Sequence, residues 1–209
     1  MGVTLGGDDW DYRGDVWVRR RRVGPLDNDA YFVACPETGE AVLIDAANEA
    51  PQLIAAAEGL ELRAILETHG HWDHWQALAQ VSGKFPAAVV AAHPDDLGMF
   101  PPPPPGHHLH DGEVVEFGHR RLRVIHTPGH TPGSVCYLAP GVLFSGDTLF
   151  PGGPGSTRPP EGDFGTILTS IEVKLWPLPD ETLVLPGHGD PTTIGAERPH
   201  LENWRRRGW

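Results

Sequence analysis

Residues 68–74 read THGHWDH, a stretch that places three histidines and one aspartate within six consecutive positions. Residues two apart in extended backbone share a face, so His69 and His71 can bind one ion together. Asp73 and His74 lie about one helical turn further along and would point toward a neighbouring ion. The spacing therefore predicts a site for metal ions where a strand passes into a helix.

Three more segments place ligand-type side chains directly after a predicted strand. TPGHTPGS, GDTLF and LPGHGD contribute His130, Asp147 and His188. Loops on a rigid scaffold are where sites are built, and glycines beside these residues allow the turns that aim a side chain inward. We expect the four segments to meet at one edge of a sheet.

Imidazole and carboxylate groups suit Zn²⁺, with Fe and Mn as further candidates. Structural zinc sites close with four ligands, mostly Cys, whereas seven ligands shared by two ions leave positions open for water. The sequence thus predicts two divalent ions, each with its own ligand set, and one bridging carboxylate. The predicted sets are His69, His71 and His130 for one ion, Asp73, His74 and His188 for the second, and Asp147 as the bridge.

The rest of the chain alternates strand-like and helix-like segments. Strand runs interrupted by helices, with hairpins in each half, predict two packed sheets with helices outside, an α/β sandwich. The predicted strands cover residues 16–23, 31–34, 41–44, 62–66, 87–92, 114–117, 122–125, 135–138, 142–144 and 183–185. The predicted helices cover residues 48–59, 74–83, 93–99 and 164–175, with another after Pro199.

These motifs resemble those of the metallo-β-lactamase-fold hydrolases, and in particular the glyoxalase II-like (hydroxyacylglutathione hydrolase-like) branch. The resemblance implies a four-layer αββα sandwich of two mixed sheets with helices outside. It also implies one domain over residues 1–209, without the C-terminal helical substrate domain of full-length glyoxalase II. Asp45, in LIDAA, matches the strand-end aspartate that supports the metal ligands in this family.

The resemblance implies hydrolysis of a thioester, an S-2-hydroxyacyl thiol, by a metal-bridging hydroxide. Asp73 is the candidate catalytic residue that orients the hydroxide or carries its proton. The family lysine that helps hold the glutathione carboxylate is replaced by Ser156, and Arg158 is the candidate substitute. Trp72 either walls the substrate pocket or packs under the metal loop.

Two alternatives stay open from the sequence. Persulfide dioxygenases of this fold hold one Fe(II) with two histidines and one aspartate, which here would be His69, His130 and Asp147. A lactonase or other ester hydrolase would share the full ligand set. β-Lactam hydrolysis is less favoured, because lactamases of this fold usually lack the bridging aspartate and are secreted.

The composition argues against nucleic-acid and membrane partners, so we expect the protein to act on a small-molecule substrate. A formal net charge of −12 argues against a nucleic-acid partner. No apolar run approaches the roughly 18 to 20 residues of a membrane span, and the first residues lack the pattern of a secretory signal, so we expect a cytoplasmic protein. A homodimer is compatible with the sequence.

The remaining histidines and both cysteines are expected to have structural roles or to lie in solvent. Neither cysteine lies in a nucleophile motif, and two cysteines are too few for a disulfide scaffold. We expect solvated loop positions for His107, His108 and His110, and structural positions for His93, His119, His126 and His200.

Overall fold

The first sheet takes its strands in chain order. The computed structural model of the protein describes residues 9–208. The strands are β1 (Tyr12–Arg13), β2 (Trp17–Val23), β3 (Asn28–Ala34), β4 (Glu40–Ile44), β5 (Glu61–Leu66), β6 (Val89–Ala92) and β7 (His107–His108). Neighbours from β1 to β4 run antiparallel, and neighbours from β4 to β7 run parallel.

The second sheet is also mixed. Its strands are β8 (Val114–Phe117), β9 (Arg120–His126), β10 (Val135–Ala139), β11 (Val142–Gly146), β14 (Leu183–Pro186) and β15 (Thr192–Thr193). Their order across the sheet is β15-β14-β11-β10-β9-β8, and only the β11–β14 pair is parallel. A small hairpin of β12 (Leu149–Phe150) and β13 (Gly153–Pro154) follows β11.

The helices are short. They are α1 (Ala50–Ala56), α2 (Trp72–Trp75), α3 (Leu78–Lys84), α4 (Phe164–Ser170), α5 (Ile194–Glu197) and α6 (Leu201–Arg207). A π-helical turn, Ile171–Leu175, continues α4, and 3₁₀ turns form at Pro94–Met99 and Arg198–His200.

The layers arise because successive side chains of a strand point to opposite faces of its sheet, and β3 and β11 are buried on both faces. In β3, Tyr31 and Val33 face the core between the sheets, whereas Phe32 packs with residues of α1 and α3 on the outer side. In β11, Phe144 faces the same central core and Leu143 packs with residues of α4 and α6. Strands buried on both faces need a helix layer on each outer side. The predicted αββα sandwich of two mixed sheets is confirmed.

The structure departs from the predicted elements mainly where elements are very short. The helix predicted over residues 74–83 divides into α2 and α3. At the division, the Ala77 amide donates to Ala46 O at 2.9 Å. Strands β1, β7, β12, β13 and β15 have two residues each, too few to show a hydrophobic period.

No helix within residues 9–208 combines the length and the apolar character that crossing a lipid bilayer requires.

Candidate metal centre

The first group of predicted ligands converges where β5 ends. His69 and His71 follow β5, and His130 lies in the loop between β9 and β10. His130 Nε2 lies 2.8 Å from His71 Nδ1 and 3.2 Å from His69 Nε2. All three imidazoles therefore present a nitrogen to one point, in the separation range that one ion can span.

The second group lies beside the first. Asp73 and His74 belong to α2, and His188 lies in the turn after β14. His74 Nε2 and His188 Nε2 are 3.3 Å apart, and Asp73 Oδ2 lies 3.4 Å from His188 Nε2 and 3.6 Å from His74 Nε2. These three residues form a second set of converging donors.

Asp147 lies between the two groups. Its Oδ2 is 3.6 Å from His130 Nε2 in the first group, and its Oδ1 is 3.6 Å from His74 Nε2 in the second. Within residues 9–208, the buried Oδ1 has no hydrogen-bond partner. A buried carboxylate oxygen without a donor is costly, and a cation would satisfy it. The seven donors and this orphaned oxygen fit a pair of divalent ions.

Most of the chain around these ligands matches one family model. The model is that of the metallo-beta-lactamase superfamily, and it matches residues 23–188. The chain belongs to the metallo-beta-lactamase superfamily. All seven ligand residues fall within the matched residues.

Several relatives carry a more specific name. A hydroxyacylglutathione hydrolase of Thermosynechococcus vestitus is 41% identical over 186 residues, which cover 84% of this chain and 72% of the relative. Hydroxyacylglutathione hydrolase GloC of Haemophilus influenzae is 35% identical over 178 residues, which cover 76% of this chain and 84% of the relative.

Solved structures of the superfamily superpose over most of the chain. BLEG-1 B3 metallo-beta-lactamase matches with a TM-score of 0.82 and 35% identity, over 88% of this chain and 97% of its own. TTHA1623 in a di-iron-bound form matches with a TM-score of 0.76 and 36% identity, over 86% of this chain and 96% of its own. ETHE1 from Myxococcus xanthus matches at 0.77 and 30%, over 88% and 82%.

In this superfamily member, the outer nitrogens of four ligand imidazoles are held by hydrogen bonds. His130 Nδ1 donates to Ser156 O at 2.6 Å, and His188 Nδ1 donates to Leu26 O at 3.0 Å. His69 Nδ1 lies 3.0 Å from Thr68 Oγ1, and His74 Nδ1 lies 2.8 Å from Asp45 Oδ2. Such bonds fix the tautomer, so that each inner nitrogen presents a lone pair to an ion.

Asp45 belongs to the residues that hold the ligand imidazoles from behind, which is the role that the resemblance implies for it. Its two oxygens accept from the Thr68 amide at 2.7 Å and from Thr68 Oγ1 at 2.8 Å, besides contacting His74. Its φ of 57° lies in the left-handed region, which is uncommon outside glycine. The position tolerates that strain at the point where β4 delivers the chain to the centre.

The site is electrostatically divided. Burial, and then the neighbouring imidazoles, hold the pKa of His69 well below its usual value, and burial likewise lowers the pKa of His71. Burial alone would lower the pKa of His74, but Asp147 and Asp45 raise it to about 10. Despite burial, hydrogen bonding to His188 and the charge of His74 hold the pKa of Asp73 well below its usual value. The carboxylates around His74 therefore create a negative potential at the second group, which holds a proton on His74 and which a metal cation would satisfy in place of that proton.

Glycine is required where the backbone passes closest to the ligands. A Cβ on Gly187 would lie 2.4 Å from Asp147 Oδ1 and 2.7 Å from His74 Cε1. Any side chain there would displace a ligand of each type, which explains the glycine before His188.

Asn28 is a site residue that the sequence analysis missed. It is the first residue of β3 and is buried, and its Nδ2 donates to Asp73 Oδ2 at 3.0 Å. The same nitrogen lies 3.3 Å from His188 Nε2. An asparagine before a strand resembles an ordinary turn residue, so no local signal pointed to this role.

Asp96 is the second residue that was missed. Its side chain is buried and accepts from the Gly70 amide at 2.8 Å, from Thr131 Oγ1 at 2.6 Å and from the Gly133 amide at 2.7 Å. The carboxylate therefore ties the loop of His69 and His71 to the loop of His130. In the sequence, Asp96 is marked only by its place in the first turn of the predicted helix at residues 93–99.

We expect Asp96→Asn to weaken metal binding by about 10- to 100-fold and to lower the free energy of unfolding by about 1–3 kcal/mol. The amide introduces a donor among three existing donors and removes the charge that holds the two loops together. Zinc competition with a chromophoric chelator and urea denaturation measure the two effects. Glu58→Gln, at an exposed position, is the matched control, and an Asp96→Asn protein equal to it in both assays would contradict the role.

The proposed substrate contacts lie at the rim. Trp72, the first residue of α2, is 55% exposed, so it does not pack under the metal loop. Trp75 takes that inner position, where its Nε1 donates to Gly70 O at 2.8 Å. Arg158 is exposed and lies two residues after Ser156, whose carbonyl holds His130.

Both cysteines are buried and free. Burial raises the pKa of the Cys136 thiol to about 11, and Cys35 Sγ donates to Glu37 Oε2 at 3.1 Å. This agrees with the prediction that hydrolysis uses no cysteine.

Proposed function

We propose that this metallo-hydrolase of the metallo-beta-lactamase superfamily uses two divalent ions to cleave a thioester, an S-2-hydroxyacyl thiol. The observation that carries the proposal is the position of Asp147 between the two ligand groups. Its Oδ2 lies 3.6 Å from His130 Nε2 of the first group and 3.7 Å from His188 Nε2 of the second, and its Oδ1 lacks a hydrogen-bond partner in the described chain. The relatives named hydroxyacylglutathione hydrolase support the substrate class.

The residues proposed to hold the ions are the seven already described. Zn²⁺ is the first candidate because most donors are imidazoles, and the di-iron form of TTHA1623 makes iron the second. Bound divalent ions supply Lewis acidity and lower the pKa of coordinated water from 15.7 toward about 7. The holding residues are His69, His71, His130, Asp73, His74, His188 and Asp147.

Asp73 is proposed to orient the attacking water. Its pKa lies well below the usual range, so the carboxylate stays ionised at neutral pH and accepts hydrogen bonds. A group this acidic is a poor proton carrier near pH 7. Asp73 Oδ2 already accepts a hydrogen bond from Asn28 Nδ2, which limits the directions from which it can accept one from the water.

The rim is proposed to bind the substrate. Trp72 supplies an exposed apolar wall beside α2, and Arg158 supplies a guanidinium for a substrate carboxylate. The proposal takes residues 1–209 as one catalytic domain that acts on a small molecule in the cytoplasm. The net charge of −12 supports the absence of a nucleic-acid partner, and a homodimer stays a prediction.

One alternative has an observation of its own. A mononuclear iron dioxygenase acting on persulfides would use His69, His130 and Asp147, and the similarity to ETHE1 from Myxococcus xanthus keeps this alternative open. In that case Asp73, His74 and His188 would hold no ion.

The test is a substrate panel assayed with metal-loaded protein and with protein treated with a chelator. The panel contains an S-2-hydroxyacyl glutathione, a lactone, a β-lactam and glutathione persulfide. The β-lactam is included because BLEG-1 is named a B3 metallo-beta-lactamase. We expect the highest kcat/KM with the thioester, and no measurable thioester cleavage after the metal is removed. Oxygen consumption with the persulfide, in place of thioester cleavage, would establish the alternative.

A further inference from the structure

Three more ligand-type side chains meet outside the seven-residue centre. His93 follows β6 in the first sheet, His126 ends β9 in the second sheet, and Asp95 lies in the 3₁₀ turn after His93. One donor atom from each residue lies within 4.8 Å of the other two. The cluster therefore spans the two sheets with a donor set that the proposed hydrolysis does not use.

The separations suit a single ion. His93 Nδ1 lies 3.7 Å from Asp95 Oδ2. Zinc bonds to imidazole and carboxylate are about 2.0 to 2.2 Å long, so two ligands of one ion lie up to about 4 Å apart. The pair can therefore share an ion with little movement.

We propose that His93, Asp95 and His126 form an additional site for one divalent ion of the imidazole-binding type, represented by Zn²⁺, which links the two sheets beside the catalytic loops. Three protein ligands leave a position for water. The sequence analysis expected only structural roles for His93 and His126.

The protonation state favours ligation. His93 is 8% exposed, and burial, followed by the nearby His126, lowers its pKa, so that the ring is neutral. Its Nδ1 accepts from the Asp95 amide at 3.3 Å, and an ion at Nδ1 would replace this hydrogen bond. His126 Nε2 donates to Pro132 O at 2.9 Å, which leaves Nδ1 as its accepting nitrogen. Asp95 supplies the compensating negative charge.

Binding requires one ring to turn. The two imidazoles stack with centroids 3.9 Å apart and 10° between their planes. Parallel rings cannot both direct in-plane lone pairs at one ion. His126 is partly exposed, and the Asp95 side chain is 57% exposed, so these two residues can move while His93 stays in place.

The consequence lies in the next residue along the chain. Asp96 accepts from the Gly70 amide in the loop of His69 and His71, and from the Gly133 amide in the loop of His130. An ion on His93 and Asp95 would restrict the turn that carries Asp96, and an ion on His126 would restrict the strand that leads to His130. By holding these loops as the seven ligands require, an ion here would strengthen binding at the catalytic centre. Because coupling between sites is reciprocal, the catalytic ions would strengthen binding here by the same factor.

The test adds Zn²⁺ to protein that already holds its catalytic ions, and it compares wild type with His126→Gln and Asp95→Asn. Native mass spectrometry counts the ions, and calorimetry follows Tm. His119→Gln, at an exposed position, is the matched control. We expect wild type and the control to bind one ion more than either variant, with a rise in Tm that both variants lack.

Equal ion counts in wild type and both variants would overturn the proposal, as would an extra ion that survives both substitutions. The comparison is a difference of one ion, so it does not depend on whether the catalytic centre holds one ion or two. Hydrolysis by the variants with their catalytic ions in place reports separately on the proposed function.

Discussion

Asp147→Ala is expected to lower kcat/KM by at least about 10³-fold while leaving a folded chain. The carboxylate lies within 3.7 Å of ligand nitrogens of both groups, so its loss weakens both ion sites together. A loss of about 4 kcal/mol in transition-state stabilisation corresponds to this factor. Steady-state kinetics on the thioester, with metal content measured on the same samples, would show it.

The same substitution carries an internal control on stability. In the ion-free chain, Oδ1 of Asp147 is buried without a hydrogen-bond partner, which is costly, whereas the charge of Asp147 attracts His74. Because these two effects oppose each other, we expect the ion-free Tm to change little. Asp190→Asn, at an exposed position in the turn after His188, should retain activity. Near-normal turnover by Asp147→Ala would contradict the bridging role, and a lowered ion-free Tm would show that Asp147 is mainly structural.

Phe144→Ala is expected to lower the free energy of unfolding by about 3–5 kcal/mol. Phe144 is fully buried between the two sheets, and its ring lies 5.4 Å from that of Tyr31. Domains of this kind are stable by about 5–15 kcal/mol, so this one cavity removes a large share of the total. Chemical denaturation measures the change.

Two variants calibrate that result. Phe144→Leu keeps most of the buried volume and should cost less than Phe144→Ala. Val173→Ala, at a side chain that is 60% exposed, should change the stability by no more than about 0.5 kcal/mol. A Phe144→Ala protein that unfolds with nearly the wild-type free energy would mean that the two sheets do not share a tightly packed core.

Local patterns predicted much of the fold. Short continuous apolar runs in β3 and β11 indicated strands, and the order of strands and helices indicated two sheets. The division between α2 and α3 was not predictable, because it depends on Ala77 bonding to Ala46 of a distant loop. Two-residue strands such as β7 depend on a neighbouring strand and have no local period of their own.

The candidate site shows the same distinction. The ligand histidines carry a local signal, because four of the five lie beside a glycine and His74 falls in the same short segment as His69 and His71. The structure brings them together. Asn28 contacts the ligand Asp73, 45 residues away, and Asp96 contacts the amide of Gly70, 26 residues away, so their roles depend on how distant parts of the chain align. His93 and His126 meet only because β6 and β9 end at adjacent points of different sheets.

Metal content tests the central claim most directly. Inductively coupled plasma mass spectrometry is applied to protein that was loaded with Zn²⁺ at pH 7 and then freed of excess metal. A chain that carries His126→Gln and Asp95→Asn, and so lacks the additional site, should give two ions. One tightly held ion per chain, or none, would contradict a binuclear centre built from these seven side chains.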